Sequence, residues 1–377
     1  MQHDEAAIFR DNVRKFLQRQ IAPHYRSWED SGCIPRSVWS LLGGEGLLCV
    51  DMPEQYGGLG ADIGLSAVLI EEVARAGFAG LATAMLVHSD IVAPYLLHHG
   101  SEQQKQLWLP RLISGDAVGA IAMTEPGAGS DLQGMGARAL AAGEGYRLSG
   151  QKTFITNGIH ADLVIVAAKT DPEAGSRGIS LFTVAADSPG FSKGRRLEKI
   201  GQHASDTAEL FFDDVSLGPE QLLGPVGRGL HILMQELARE RLLLSIAALG
   251  AADGMLERTV AYVKERRLFG SELSRLQNTR FKLAELKARL EAVRAFLRQC
   301  LADYGGAGLD NAQASIGKLL ATELQVEMAD QCLQLHGGYG YTTEYQISRD
   351  FLDARVQKIY GGASEVMKEI IARALLD

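Results

Sequence analysis

A carboxylate in an apolar helical setting marks the stretch Met234-Gln235-Glu236-Leu237-Ala238-Arg239-Glu240-Arg241-Leu242. Leu233, Leu237, Leu244 and Ala247 recur at helical spacing, and Glu240 falls on the same stripe. An ionised carboxylate is costly to bury unless it is paired or held neutral. Glu240 is therefore either half of a surface pair with Arg239 or Arg241, or a buried acid whose raised pKa suits a general base. Taken alone, the window favours the surface pair, because most helical Glu residues are solvated. Glu236, one turn earlier and near the same face, is the competing carboxylate.

Five further stretches hold residue types suited to binding or catalysis. Met123-Thr124-Glu125-Pro126-Gly127-Ala128-Gly129-Ser130-Asp131 follows a strand-like run, and its glycines allow close approach of backbone to a ligand. Hydroxyls and exposed amides there suit a polar ring edge or a phosphate, though an ordinary β-turn has the same composition. In Gly150-Gln151-Lys152-Thr153-Phe154-Ile155-Thr156-Asn157, alternation places Phe154 and Thr156 on one strand face, a ring beside a hydroxyl. An aromatic in a strand is more often plain core. Arg266, in Tyr262-Val263-Lys264-Glu265-Arg266-Arg267-Leu268-Phe269-Gly270, can clamp a pyrophosphate, and Gln277 can bond a heterocycle. A solvated helix end explains the same charges. Gln334-Leu335-His336-Gly337-Gly338-Tyr339-Gly340-Tyr341 and Tyr360-Gly361-Gly362-Ala363-Ser364-Glu365 are glycine-rich breaks in helical sequence, where freed amides can face a ligand. His336 is a candidate base, but packing or a local hydrogen bond is the simpler role. No second His at ligand spacing supports a metal.

The elements that position these residues follow an order of helix, strand, helix. Residues 1–118 read as helical: Phe9, Val13, Phe16 and Leu17 share a face, a second helix follows Pro35, and the pattern resumes over Leu65 to Ala76. Ser101 is the expected N-cap of a further helix. Over 119–222, strand-like runs at 119–123, 152–156, 163–167, 179–184 and 207–212 alternate with Gly, Asn, Asp and Pro. That spacing predicts an antiparallel barrel or sandwich and not βαβ units. Helical periodicity returns over 223–377.

With 377 residues, 46% of them hydrophobic and 22% charged, the chain can bury large cores in two or three domains. A net charge of -8 gives no general attraction to nucleic acid. Cys33, Cys49, Cys300 and Cys332 lack CxxC or metal spacing and read as buried free thiols in a reducing compartment. The polar N-terminus reads as neither a secretory nor a transit signal. The longest apolar stretch, Leu242 to Leu256, is too short to span a bilayer. A cytoplasmic enzyme without stable membrane insertion is the expectation, although a processed organellar protein would look alike.

Together, in this order and separation, the motifs resemble the acyl-CoA dehydrogenase family over essentially the whole chain. The most specific are 123–131, Arg266 with Phe269-Gly270 and Gln277, and Gln334 to Gly338. Gly178-Ile179-Ser180-Leu181-Phe182, Asp206-Thr207-Ala208-Glu209-Leu210-Phe211-Phe212 and Lys368-Glu369-Ile370-Ile371-Ala372-Arg373 resemble the long-chain branch. The resemblance implies a mainly helical α+β fold: a helical N-terminal domain, a β middle domain and a C-terminal four-helix bundle. It implies FAD, a homotetramer built as a dimer of dimers, and electron-transferring flavoprotein as acceptor. Met123, Thr124, Ser130, Phe154, Ile155 and Thr156 would then hold the flavin of their own subunit. Arg266, Phe269 and Gln277, with Gln334, Leu335, His336, Gly337 and Gly338, would reach the adenine half of a neighbour's FAD. Ala363, Ser364 and Glu365 would complete the cofactor site.

The implied reaction removes an α-proton and a β-hydride from an acyl-CoA, medium- to long-chain by the branch resembled, giving the trans-2-enoyl-CoA. A short branched acyl-CoA or a carrier-protein thioester is the alternative substrate, and a flavin-binding scaffold without activity is the alternative function. Many family members carry the base just after the residue corresponding to Tyr360, where this chain has Gly361. The long-chain and isovaleryl branches place a Glu in the helix before Arg266, in a Glu-Arg-Leu context that Glu240-Arg241-Leu242 matches. Gly361 would then offer its amide to the thioester oxygen. Ser130, His231, Arg241, Gly361 and Gly362 are the expected substrate contacts. His231 and the pair Ala238-Arg239 depart from the Tyr and Pro-Gln of the long-chain branch.

Overall fold

Helices occupy both ends of the chain and strands its middle in the computed structural model, which describes residues 2–376. The first part holds α1 (Gln2–Phe16), α2 (Ala22–Ser31), α3 (Ser37–Gly44), α4 (Ile63–Arg75), α5 (Ala79–Met85), α6 (Ala93–His99) and α7 (Glu102–Ile113). Ser101 caps α7 as its sequence predicts: its hydroxyl accepts from Gln104 N at 3.2 Å, and Gln104 Oε1 accepts from Ser101 N at 2.9 Å. The Gln104 side-chain amide also donates to the carbonyls of Glu220 and Leu222, which ties α7 to the sheet.

A π-helical segment, Leu86–Val92, joins α5 to α6. Pro94 follows it, and a proline lacks the N–H that would bond the carbonyl four residues back. That carbonyl belongs to Asp90 and accepts instead from Arg239 Nε at 3.2 Å. The whole span Ala79–His99 is long and apolar enough to cross a membrane by composition, a feature that Leu242 to Leu256 had obscured in the sequence. Here 89% of its most apolar window is buried inside the protein, so it serves as core.

The middle part forms one sheet of eight strands: β1 (Gly119–Ala122), β2 (Arg138–Ala142), β3 (Gly145–Thr156), β4 (Leu163–Lys169), β5 (Ile179–Ala185), β6 (Phe191–Arg196), β7 (Thr207–Leu217) and β8 (Leu222–Leu223). The order is β6-β7-β3-β2-β4-β5-β8, with β1 against β4. The sheet is mixed and not wholly antiparallel, because β1 and β4 run parallel from Gly119↔Leu163 to Ala122↔Val166. The β2–β3 hairpin lies between them in sequence and supplies the crossover that parallel neighbours need. β2 and β6 carry few β-branched residues and escape a composition reading; their neighbours in the sheet hold them extended. β4 is buried on both faces. Leu163, Ile165 and Ala167 join the large helical core, while Val164, Val166 and Ala168 pack into a second core inside the β part.

The last part contains α8 (Gly229–Glu265), a hairpin of β9 (Arg267–Leu268) and β10 (Ser271–Glu272), α9 (Gln277–Gly305), α10 (Asn311–His336), α11 (Gln346–Ala354) and α12 (Ser364–Leu376). α8 runs about 55 Å at 1.5 Å per residue and packs chiefly on α10 and α4. Every residue from Ala238 to Gly250 is buried. The surface-pair reading of Glu240 is thereby overturned, and the picture of a single apolar stripe is corrected too. Leu237 on that stripe is only half-buried, whereas the helix from Ala238 to Gly250 is enclosed all round, as a central helix is.

Candidate active site

Glu240 lies in the enclosed part of α8, 5% exposed. Tyr95 of α6 donates its hydroxyl to Glu240 Oε1 at 2.8 Å. Among the described residues Glu240 forms no ion pair. Its neighbours in sequence are engaged elsewhere: Arg239 Nη2 reaches Asp51 Oδ2 at 2.7 Å and Asp90 Oδ1 at 3.0 Å. Arg241 Nη1 donates to Ser315 Oγ at 3.2 Å, and its buried Nε has no partner among the described residues. Burial pushes the Glu240 carboxyl up to about 7; Tyr95 opposes the rise, nearby Glu236 adds to it, and Arg241 and Arg239 draw it down. A carboxyl poised there can lose and regain a proton near neutral pH, as a general base must.

Glu236 meets the opposite environment one turn away. Burial opposes its ionisation, but His98 Nδ1 at 2.9 Å and His99 Nε2 at 2.8 Å both bond its Oε1 and bring it down to about 2. A carboxylate held that firmly ionised accepts protons poorly. Two carboxylates on one helix are thus driven apart in pKa, which separates the competing bases on physical grounds.

Gly361 sits over the same part of α8. Its φ is +61°, and a Cβ there would come 2.6 Å from Leu244 Cδ1, one turn beyond Glu240. Gly362 follows with φ +99°. Lys318 of α10, fully buried, fixes this turn by donating Nζ to Gln357 O and Gly362 O, each at 2.7 Å. Burial lowers the Lys318 ammonium to about 8, with Arg241 acting in the same direction. Tyr360 places its hydroxyl 3.2 Å from Thr83 Oγ1 and accepts from Gln202 Nε2 at 3.3 Å.

Beside this centre, the end of β1 meets β3. Thr153 N donates to Thr124 O at 2.9 Å, and Lys152 Nζ to Met123 O at 3.0 Å. Lys152 also pairs with Glu125 at 2.7 Å in a buried bridge. The register of β3 slips between Lys152 and Ile155. At that bulge Phe154 has φ +58° and is 68% exposed, while Ile155 is buried and Thr156 half-buried. Ser130 lines a cleft of about 500 Å³ with Ala363, Glu365, Val366, Ile370 and Arg373. Ser364 turns away from that cleft: it is buried, and its hydroxyl donates to Glu323 at 2.8 Å.

The other expected residues cluster at a different place. Arg266 ends α8 with its guanidinium 5.3 Å from the Tyr339 ring, so its stretch and the one at Gln334 come together. Phe269 is 90% exposed, Gln277 opens α9, and Gln334, Gly337 and Gly338 are exposed. Leu335 and His336 are buried. His336 bonds Cys332 O at 2.8 Å and stacks on Tyr262 at 4.2 Å, which is a packing role and not that of a base. Among the described residues, no hydrogen bond or ring contact joins this patch to the Ser130 cleft. His231 is exposed more than two turns before Glu240 on α8. Of the thiols, Cys49, Cys300 and Cys332 are buried, but Cys33 is half-buried with Sγ 3.1 Å from His160 Nε2. Sequence reading missed Tyr95, His98, His99 and Lys318, none of which carries a local motif.

Family models cover nearly all of this arrangement. The acyl-CoA dehydrogenase N-terminal domain matches residues 3–116, the middle domain 120–215 and the C-terminal domain 227–376. The long-chain specific acyl-CoA dehydrogenase of Mus musculus mitochondria is 47% identical over 100% of this chain and 86% of that protein. A crystal structure of an acyl-CoA dehydrogenase from Geobacillus kaustophilus superposes with a TM-score of 0.96 at 47% identity, covering 99% of this chain and 98% of that one. A glutaryl-CoA dehydrogenase from Mycobacterium smegmatis, solved in complex with FADH2, superposes at 0.93 with 32% identity, covering 99% and 94%. A mainly helical chain with a sheet at its centre, matched along its length by all three domain models, belongs to the acyl-CoA dehydrogenase family.

Proposed function

We propose that this protein dehydrogenates a medium- to long-chain acyl-CoA to the trans-2-enoyl-CoA, with FAD as cofactor and Glu240 as the base that removes the α-proton. One observation carries the reading: Glu240 is buried without an ion pair among the described residues, is raised to about 7, and lies one helical turn from Leu244, against which Gly361 stands. The residues fit a flavin dinucleotide. The Ser130 cleft is adjacent to open glycines at 127 and 129, and the exposed Phe154 ring offers a flat apolar surface. The flavin of FAD, when bound, supplies the hydride acceptor. Met123, Thr124, Ser130, Phe154, Ile155 and Thr156 would hold its ring, and Ala363 and Glu365, which line the same cleft as Ser130, the adjoining part. Glu240 would take the α-proton. The Gly361 amide would donate to the thioester oxygen, and Arg241, Gly362 and His231 would line the substrate path.

Exposure of Phe269 (90%) and Tyr341 (89%) supports a homotetramer in which the Arg266 and Gln334 patch meets a neighbour's cofactor. Electron-transferring flavoprotein is the acceptor that this reading calls for. Identity to a long-chain enzyme supports the chain length. Anaerobic mixing of the holoprotein with straight-chain acyl-CoAs from butyryl to palmitoyl, and with isovaleryl-CoA, tests the reading through flavin absorbance. Fastest bleaching is expected with the longer straight chains. Bleaching by isovaleryl-CoA alone would move the substrate to the branched class, and bleaching by none would leave a silent scaffold.

Two variants probe the centre. Tyr95→Phe removes a hydrogen bond that favours ionised Glu240. The midpoint of the pH–rate profile for flavin reduction should rise by about one pH unit or more, since bonds to charged groups contribute about 1.5–3 kcal/mol. An unmoved or lowered midpoint contradicts this. Gly361→Ala sets a methyl against Leu244 in a left-handed backbone. Flavin reduction should slow roughly 10²–10³-fold, the usual loss for a displaced oxyanion donor. Adding Leu244→Ala should restore part of the rate if the crowding is what matters.

A further inference from the structure

At the end of α6, His98 and His99 converge on Glu236 from positions that do not face each other on a helix. They manage it because one uses the short arm, Nδ1, and the other the long arm, Nε2. The two rings stand at 89° with centroids 6.1 Å apart, so their nitrogens aim at one point from different sides. The three donor atoms lie within 4.8 Å of one another. Glu236 is buried on α8, the His99 side chain is 16% exposed, and that of His98 is 43% exposed, which leaves a path from solvent.

We propose that His98, His99 and Glu236 form a divalent transition-metal site, best suited to zinc, with at least one coordination position left to water. Two imidazoles and one carboxylate are the donor set of open tetrahedral zinc sites, and such nitrogen ligands do not suit magnesium or calcium. Zinc–nitrogen and zinc–oxygen distances near 2.0–2.2 Å put donors roughly 3.3 Å apart. The present separations of 2.8 and 2.9 Å need only a small rotation of each ring to reach that. In the metal-bound form the nitrogen that now faces Glu236 turns its lone pair to the metal, the ring proton sits on the other nitrogen, and the Glu236 carboxylate becomes the third ligand. The bound ion would stand about one helical turn from Glu240 and set a positive charge where Glu236 alone presents a negative one.

A second constellation, Cys33, His160 and Asp206, also brings its donor atoms within 4.8 Å of one another. It is the poorer candidate. His160 Nε2 lies 2.8 Å from Ile34 O, and burial pushes the Cys33 thiol up to about 11, far from the thiolate that zinc requires.

The test is zinc titration of the tag-free holoprotein in competition with a chromophoric chelator, with cobalt substitution to read the geometry. One zinc per chain and an intense visible cobalt spectrum are expected. His98→Gln/His99→Gln, confirmed folded by circular dichroism, should lose both, and Cys33→Ser should lose neither. Glu236→Gln removes the anionic ligand and should weaken zinc at least tenfold. Absence of saturable binding below about 100 μM zinc, an affinity near -5.5 kcal/mol, overturns the proposal. So does binding that survives the double His variant or disappears in Cys33→Ser. These readouts do not depend on which residue is the catalytic base.

Discussion

Replacing Glu240 by Gln should slow anaerobic flavin reduction by acyl-CoA roughly 10²–10⁴-fold, the usual contribution of a general base. The substitution keeps the shape of the side chain and an oxygen that can still accept from Tyr95, so fold and flavin content should be unchanged. The pH dependence supplies an independent check. Only ionised Glu240 can take a proton, and its carboxyl is raised to about 7, so the native rate should be low in acid and rise through about pH 7. In Glu240→Gln that rise should vanish with the rate itself. An undiminished rate would sink the assignment and turn attention to Glu236→Gln. The structure argues against that outcome, because two imidazoles hold Glu236 ionised at about 2.

Arg239→Met should destabilise the protein by about 3–5 kcal/mol, the cost of leaving buried charges without their partner. Arg239 is 4% exposed and bridges Asp51 and Asp90 while filling the Asp90 carbonyl that Pro94 leaves free. Its loss would strand two carboxylates between the N-terminal helices and α8. Burial already pushes the Asp90 carboxyl up to about 7 against the pull of Arg239. Without the guanidinium it should hold its proton to still higher pH. Over this range the folded variant would then bind more protons than the folded native protein does, so the deficit should shrink as pH falls from 8 to 6. Thermal unfolding at the two pH values measures this. Adding Asp51→Asn and Asp90→Asn should recover a large part of the loss; a single variant as stable as the native protein would show that the cluster contributes little.

Much of this was legible without coordinates. Periodicity separates helical from extended stretches because helix and strand repeat at different intervals along the chain. Ser101 and Gln104 declare their helix start through a local pairing over three residues. The five glycine-rich or charged motifs declare themselves by order, and the vacancy at Gly361 directs attention to Glu240. Strand direction was less accessible. The parallel pairing of β1 with β4 joins residues 44 apart, as at Gly119↔Leu163, and nothing in either run records the direction of its partner. The bulge at Phe154 was likewise hidden, since its irregular register is set against β7.

The protonation states of the two carboxylates could not be read from the chain at all. Glu236 and Glu240 share one helix and similar local sequence, and the sequence alone offered Arg239 and Arg241 as partners for Glu240. Tertiary structure decided otherwise: Tyr95 comes to Glu240 from 145 residues away, and His98 and His99 come to Glu236 across 138 and 137. Desolvation and Coulomb energy depend on distance through space, so they are fixed only when α6 packs on α8. By itself the sequence determined most of the helices and strands, the family motifs and the carboxylate to examine. Only packing decided which of two neighbouring carboxylates is held as an anion and which is left free to take a proton.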